Sequence, residues 1–112
     1  MGVVTPFPQP AAGQVVFDRL ELNLILGLYG RMVTAGEWRD YAVAMDREAA
    51  VFSAFRRASE RPEVQVVKRP ALRLKKGQYA LHGDGGAVLA RGAELKSVLA
   101  PLERRLMKLV DA

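Results

Sequence analysis

The sequence predicts an α+β domain of two layers: an N-terminal helix, an antiparallel sheet of four to five strands, and a C-terminal helix. Three observations carry this. Apolar residues recur at helical spacing near both ends of the chain, the period shortens to two between them, and a glycine-rich turn, HGDGG, divides two of the alternating runs. At 112 residues, half of them apolar, the chain suits one domain with one hydrophobic core. Residues 1–13, interrupted by Pro6, Pro8 and Pro10, are expected to form a flexible proline-rich arm, and 14–112 the domain.

The first helix is expected over 18–35. Asp18 and Glu21 in DRLE form a capping box. Leu22, Leu24, Ile25, Leu28, Tyr29, Met32 and Val33 then recur at helical spacing, with Leu20 and Leu26 widening the apolar surface. Gly36 stands where a left-handed cap ends a helix. Gly27 and Gly30 weaken the helix by roughly 1 kcal/mol each relative to alanine, which suggests the close approach of a strand or another helix.

The strands follow. EWRDYAVAM alternates, with Trp38, Asp40, Ala42 and Ala44 on one side and Arg39, Tyr41, Val43 and Met45 on the other. Tyr41 is expected in the core, and Trp38, opposite in phase, there or against a partner. After the turn at Asp46–Glu48 comes AAVFSAF, apolar on both faces, as in a central strand or one whose second face is covered. VQVVKR is a third strand, stopped by Pro70, and ALRLKKG is a short strand or an irregular link. QYALH and AVLAR flank the glycine turn as a hairpin. The closing helix, 93–110, carries Leu95, Val98, Leu99, Leu102, Leu106, Leu109 and Val110 on one stripe. Pro101 lies inside it and should kink it or end a short first segment. Leu22, Ile25, Leu28, Tyr29, Leu81, Leu99, Leu102 and Leu106 are expected in one core.

Four of these segments, FDRLELNLILGLYGRMVTAGEWRDYAV, AVFSAFRRASERP, KRPAL and GQYALHGDGGAVLARG, resemble a family of small alphaproteobacterial proteins, a domain of unknown function, over residues 14–110. The resemblance implies a bacterial cytoplasmic protein. It brings no activity, cofactor or site residue with it.

Chemistry is sparse. The absence of cysteine excludes disulfides, thiolate zinc sites and cysteine nucleophiles, and fits a reducing compartment. No secretory signal is recognisable, and the longest apolar run, LILGLYG, is too short to span a bilayer. A cytoplasmic protein without membrane association is expected. His82 is the only histidine, read as an exposed or turn-bonded residue. Ser53, Ser59 and Ser97 sit in no nucleophile motif, and the acids are scattered. HGDGG lacks the lysine and hydroxyl of a phosphate loop and opens no helix. No enzyme activity, cofactor or metal site is expected.

Charge is the distinctive feature. Arg56, Arg57, Arg61, Lys68, Arg69, Arg73, Lys75 and Lys76 fall within one fifth of the chain, opposed only by Glu60 and Glu63, while the net charge of the whole chain is +5. Such a run solvates many sheet faces. Here acids are not interspersed, and the cations occupy two adjoining strands and their links. Arg57, Lys68 and Arg69 would be cross-strand neighbours if the second and third strands pair, which is unfavourable without an anion. The expected function is a non-enzymatic binding module that takes nucleic acid on this basic face, through structured RNA or the phosphate backbone. The alternative is an adaptor whose basic face meets an acidic protein surface. A homodimer is also expected, because an edge strand needs protection and the first helix has more apolar surface than one sheet face covers.

Overall fold

The structure, a computed structural model, describes residues 13–57 and 61–111. The expected arm lies outside them apart from Gly13. Helix α1, Arg19–Thr34, begins with the reciprocal capping box. Asp18 accepts from the Glu21 amide at 2.8 Å and Glu21 accepts from the Asp18 amide at 2.7 Å. Gly36, at φ +80°, follows the helix in the left-handed region, which costs glycine little.

Five strands follow as a meander: β1 Asp40–Met45, β2 Ala50–Phe55, β3 Val64–Lys68, β4 Tyr79–His82 and β5 Val88–Gly92. All neighbours pair antiparallel in the order β1-β2-β3-β4-β5. ALRLKKG resolves into the link: a 3-10 turn at Pro70–Leu72 and a loop reaching Gly77. Gly77 lies at φ +89°, and a Cβ there would stand 2.3 Å from the Gly92 carbonyl carbon. That glycine is required twice over, by dihedral and by space.

The closing helix breaks as Pro101 demands. Leu95–Val98 form a short α2, and α3 runs Ala100–Asp111. Proline has no amide to offer Ser97. The break at Leu99 lets both Leu102 and Glu103 donate to the Leu99 carbonyl, at 3.0 and 3.1 Å.

The helices cover one sheet face. Ile25, Leu28 and Met32 of α1 pack with Phe52, Val66 and Leu81 of the sheet and with Leu99, Leu102 and Leu106. Leu22 and Tyr29 sit at the border of this core rather than inside it. Trp38 is buried in the core beside the strand, while Tyr41 is 44 % exposed, its ring packed on Tyr29 and Phe52. The expectation for Tyr41 is thus corrected: β1 is an edge strand, and its residues have a neighbour on one side only. Gly27 and Gly30 meet no other element within 4 Å. They lie on the exposed side of α1, so the expected close approach is absent.

A polar clamp ties the link between α1 and β1, the residue before β3 and α3 together. Arg105 donates to Glu63 at 2.9 Å and also to Glu37, and the Trp38 indole N–H donates to Glu63 at 2.8 Å. Burial works to raise the Glu63 pKa, but the bonds from Arg105 and Trp38 and the charges of Arg105 and Arg56 outweigh it and hold the carboxyl low.

Candidate anion-binding site

The register decides where the cations go. Ala50 opposes Lys68 and Ala54 opposes Val64. Arg56, Arg57 and Arg61 therefore lie at one end of the sheet, and Lys68, Arg69, Arg73, Lys75 and Lys76 at the other. A five-residue strand separates the groups, roughly 16 Å of backbone. The expected cross-strand grouping of Arg57 with Lys68 and Arg69 is corrected. β2 and β3 do pair, but antiparallel chains joined by residues 56–63 carry Arg57 away from Lys68.

At the first end acids answer the charge. Arg56 pairs with Glu63 and Arg61 with Asp84, each at 3.5 Å, and Arg57 is also engaged.

Lys68 and Arg69 part company because successive residues of a strand face opposite ways. Lys68 turns under α1, where its side chain is 15 % exposed. Its ammonium donates to Glu21 at 2.8 Å and to the Val16 carbonyl at 2.9 Å. The Tyr79 hydroxyl donates to the other Glu21 oxygen. Burial, and then the bond to Glu21, push the Tyr79 hydroxyl above the ordinary tyrosine range. The carboxylate that caps α1 is thus also the counterion of a half-buried lysine. Lys68 is structural and offers nothing to a ligand.

Arg69 turns to the uncovered sheet face. Val51, Val67 and Ala80 form the floor of a concavity of about 400 Å³, with Leu72 and Gln78 from the link at its side. Arg69, His82, Arg91 and Gln65 complete the lining. Strand pairing brings them together: Gln65 opposes His82, and Ala80 opposes both Val67 and Arg91. Burial, then the charges of Arg91 and Arg69, lower the His82 pKa, so the imidazole is neutral at pH 7. Arg69 meets Glu48 at 3.7 Å, and Glu48 is 83 % exposed, a pair that a ligand can displace at small cost. Asp46 lies near too, its carboxylate engaged by the amides of Glu48 and Ala49. Arg73, Lys75 and Lys76 are exposed on the adjoining link, and with Arg91 they have no ion pair among the described residues. The Gly77–Gly92 contact holds that link against the end of β5.

Of the eight sequence candidates, Arg69 alone lines the concavity, and Arg73, Lys75 and Lys76 are exposed on the link that contributes Leu72 and Gln78 to its side. Arg91 and His82 were missed. Arg91 lies outside the basic run, and His82 was read as a turn residue. The hairpin alternation held a signal, since QYALH and AVLAR place both on strands. The site supplies two guanidinium groups, an imidazole whose pKa is lowered and two side-chain amides. Such donors are of the kind that bond to an anion. Among the described residues no group of three His, Cys, Asp or Glu could hold a metal ion, and no helix is long and apolar enough to cross a membrane.

No curated protein and no solved structure matches the chain. A family model does, over residues 15–99, from the segment before α1 through α2 and short of α3. The chain belongs to the family described as protein of unknown function DUF2794.

Proposed function

We propose that the chain is a non-enzymatic binding module that takes the phosphate backbone of nucleic acid at the basic end of its open sheet face. The observation that carries this reading is that Arg69 and Arg91 line one concavity while Arg73, Lys75 and Lys76 are exposed on the link that forms its side, with Glu48 paired to Arg69 as the neighbouring acid. The recognition is of charge and shape. Among the described residues no Phe, Tyr or Trp lines the concavity, so these offer bases no aromatic platform to stack on. The reading places the protein in the cytoplasm, where such a partner is found.

Titration against RNA and DNA across a salt series tests it. With roughly four phosphate contacts, log affinity falls with log salt at a slope of about −3 to −4. The combined change Arg69→Gln, Lys75→Gln, Lys76→Gln and Arg91→Gln weakens all sequences alike and flattens the slope by up to about one per lost contact. Absence of binding at low salt, or a slope indifferent to these changes, overturns the reading. The second reading, an acidic protein partner, is favoured by the aliphatic floor of Val51, Val67 and Ala80, which suits a side chain better than a phosphate. Purified protein with a raised 260/280 absorbance ratio that falls after a high-salt wash separates the two.

A further inference from the structure

The two edges of the sheet are finished differently. β5 has a register shift against β4 at Leu81/His82 and carries Arg91, and its Gly92 is pressed against Gly77. These features blunt an edge. β1, DYAVAM, has no proline, lysine or register shift.

Which β1 groups point outward follows from its pairing. The Asp46 amide donates to the Ala49 carbonyl at 3.0 Å. Residues 42, 44 and 46 therefore turn their backbone groups to β2, and 41, 43 and 45 turn theirs outward. Two outward groups are occupied: the Tyr41 amide donates to the Asp40 carboxylate at 2.8 Å, and the Met45 carbonyl accepts from Gln14 at 3.3 Å. Among the described residues this leaves the Tyr41 carbonyl, both Val43 groups and the Met45 amide without partners.

We infer that β1 is the docking edge for a second copy of this chain, paired antiparallel about a twofold axis through Val43. In that register the Val43 amide donates to the carbonyl of Val43 of the partner subunit, and the Met45 amide to that of Tyr41 of the partner subunit. Symmetry doubles both bonds, and the four use all the groups left over. Sliding the axis to Ala42 engages only half of them, and a one-residue slip sets the helix-side residues against the open face. The register through Val43 does set Asp40 opposite Asp46 of the partner subunit, and Arg39 and Arg47 adjoin those two positions to offset the repulsion.

A second observation points to the same seam. Leu22, Leu26, Tyr29 and Val33 form a stripe at helical spacing on the β1 side of α1, where the Tyr29 ring packs on Tyr41 at 4.9 Å. Val33, Tyr41 and Val43 are 41 %, 44 % and 37 % exposed. A twofold perpendicular to the sheet brings this stripe against its own copy, antiparallel, and buries apolar surface above the shared strands. The inference stands independently of any ligand on the open face.

Sedimentation equilibrium without nucleic acid tests it. The wild-type chain is expected to be a dimer at micromolar concentration, and both Val43→Pro, which removes a donor, and Val33→Glu, on the stripe, to be monomers with unchanged circular dichroism. The chain has no cysteine, so single substitutions report proximity: Val43→Cys should cross-link to dimer with a short bismaleimide, and Leu89→Cys on β5 should not. A monomeric wild type, or a dimer that cross-links through Leu89→Cys and not through Val43→Cys, overturns the inference.

Discussion

Lys68 and Arg69 are neighbours in one basic run, yet they do opposite work. Lys68 is drawn under α1 to neutralise Glu21, while Arg69 stands on the open face with a weak, exposed partner. Local sequence treats them alike, and one step along a strand separates a cation paired beneath a helix from one on the open face. A run of like charge is therefore not a patch until the register assigns each member a face. The eight cations divide into Arg56, Arg57 and Arg61 at one end of the sheet, a half-buried Lys68, Arg69 beside Arg91 in the concavity, and three exposed on the adjoining link.

The largest test of this contrast is Lys68→Met. It leaves the Glu21 carboxylate buried without its counterion, and breaking such a pair costs about 3–5 kcal/mol. Denaturant unfolding should show that loss, and Glu21→Gln added to Lys68→Met should restore part of it. A change of only a few tenths would mean that Lys68 is as dispensable to the fold as Arg69.

Leu102→Ala probes the apolar side of the same layer. Leu102 is buried between α3 and the rest of the core, and its truncation should cost about 2–5 kcal/mol in the same melt.

Gly77→Ala acts on the link that carries the free cations. The positive dihedral alone costs of order 1–3 kcal/mol, and the clash with Gly92 adds to it. Because the link must move, binding to nucleic acid should weaken as well. Loss of stability without any change in binding would detach the link from the site.

The smallest effect on stability and the sharpest on the site is expected from Arg91→Gln, within about 0.5 kcal/mol as for most surface changes. The readout is His82. Its pKa is lowered by burial and then by Arg91 and Arg69. The sign follows from linkage. The unfolded chain takes up a proton below about pH 6.5 that the folded one resists, so stability is full above that pH and declines as pH falls through the folded value. Removing Arg91 should raise the His82 pKa in an NMR titration, and phosphate or oligonucleotide bound at the site should raise it too. Glu63 has the same dependence lower down: its lowered pKa stabilises the fold above the ordinary carboxyl value of 4.5 and that contribution is lost as pH falls.

What the sequence determined by itself is what residues within a few positions of one another settle. The capping box of Asp18 and Glu21, the cap at Gly36, the break at Pro101 and the hairpin around Asp84–Gly86 all join groups close along the chain. Periodicity added the α+β class and six of the eight residues expected in the core, Leu22 and Tyr29 being the two at its border. Tertiary structure decided the rest. The register of β3 against β2, across residues 56–63, sent Lys68 inward and Arg57 to the far end, and a slip of one residue would have reversed both faces. It gave Glu21 a second role as counterion to Lys68 and hydrogen-bond acceptor for Tyr79, and it brought Arg91 and His82 beside Arg69. It left Gly27 and Gly30 facing outward where packing had been expected. The division has one physical cause: caps and turns are short-range bonds written in adjacent residues, whereas the site depends on how separate strands align, an outcome of burying the whole apolar face at once.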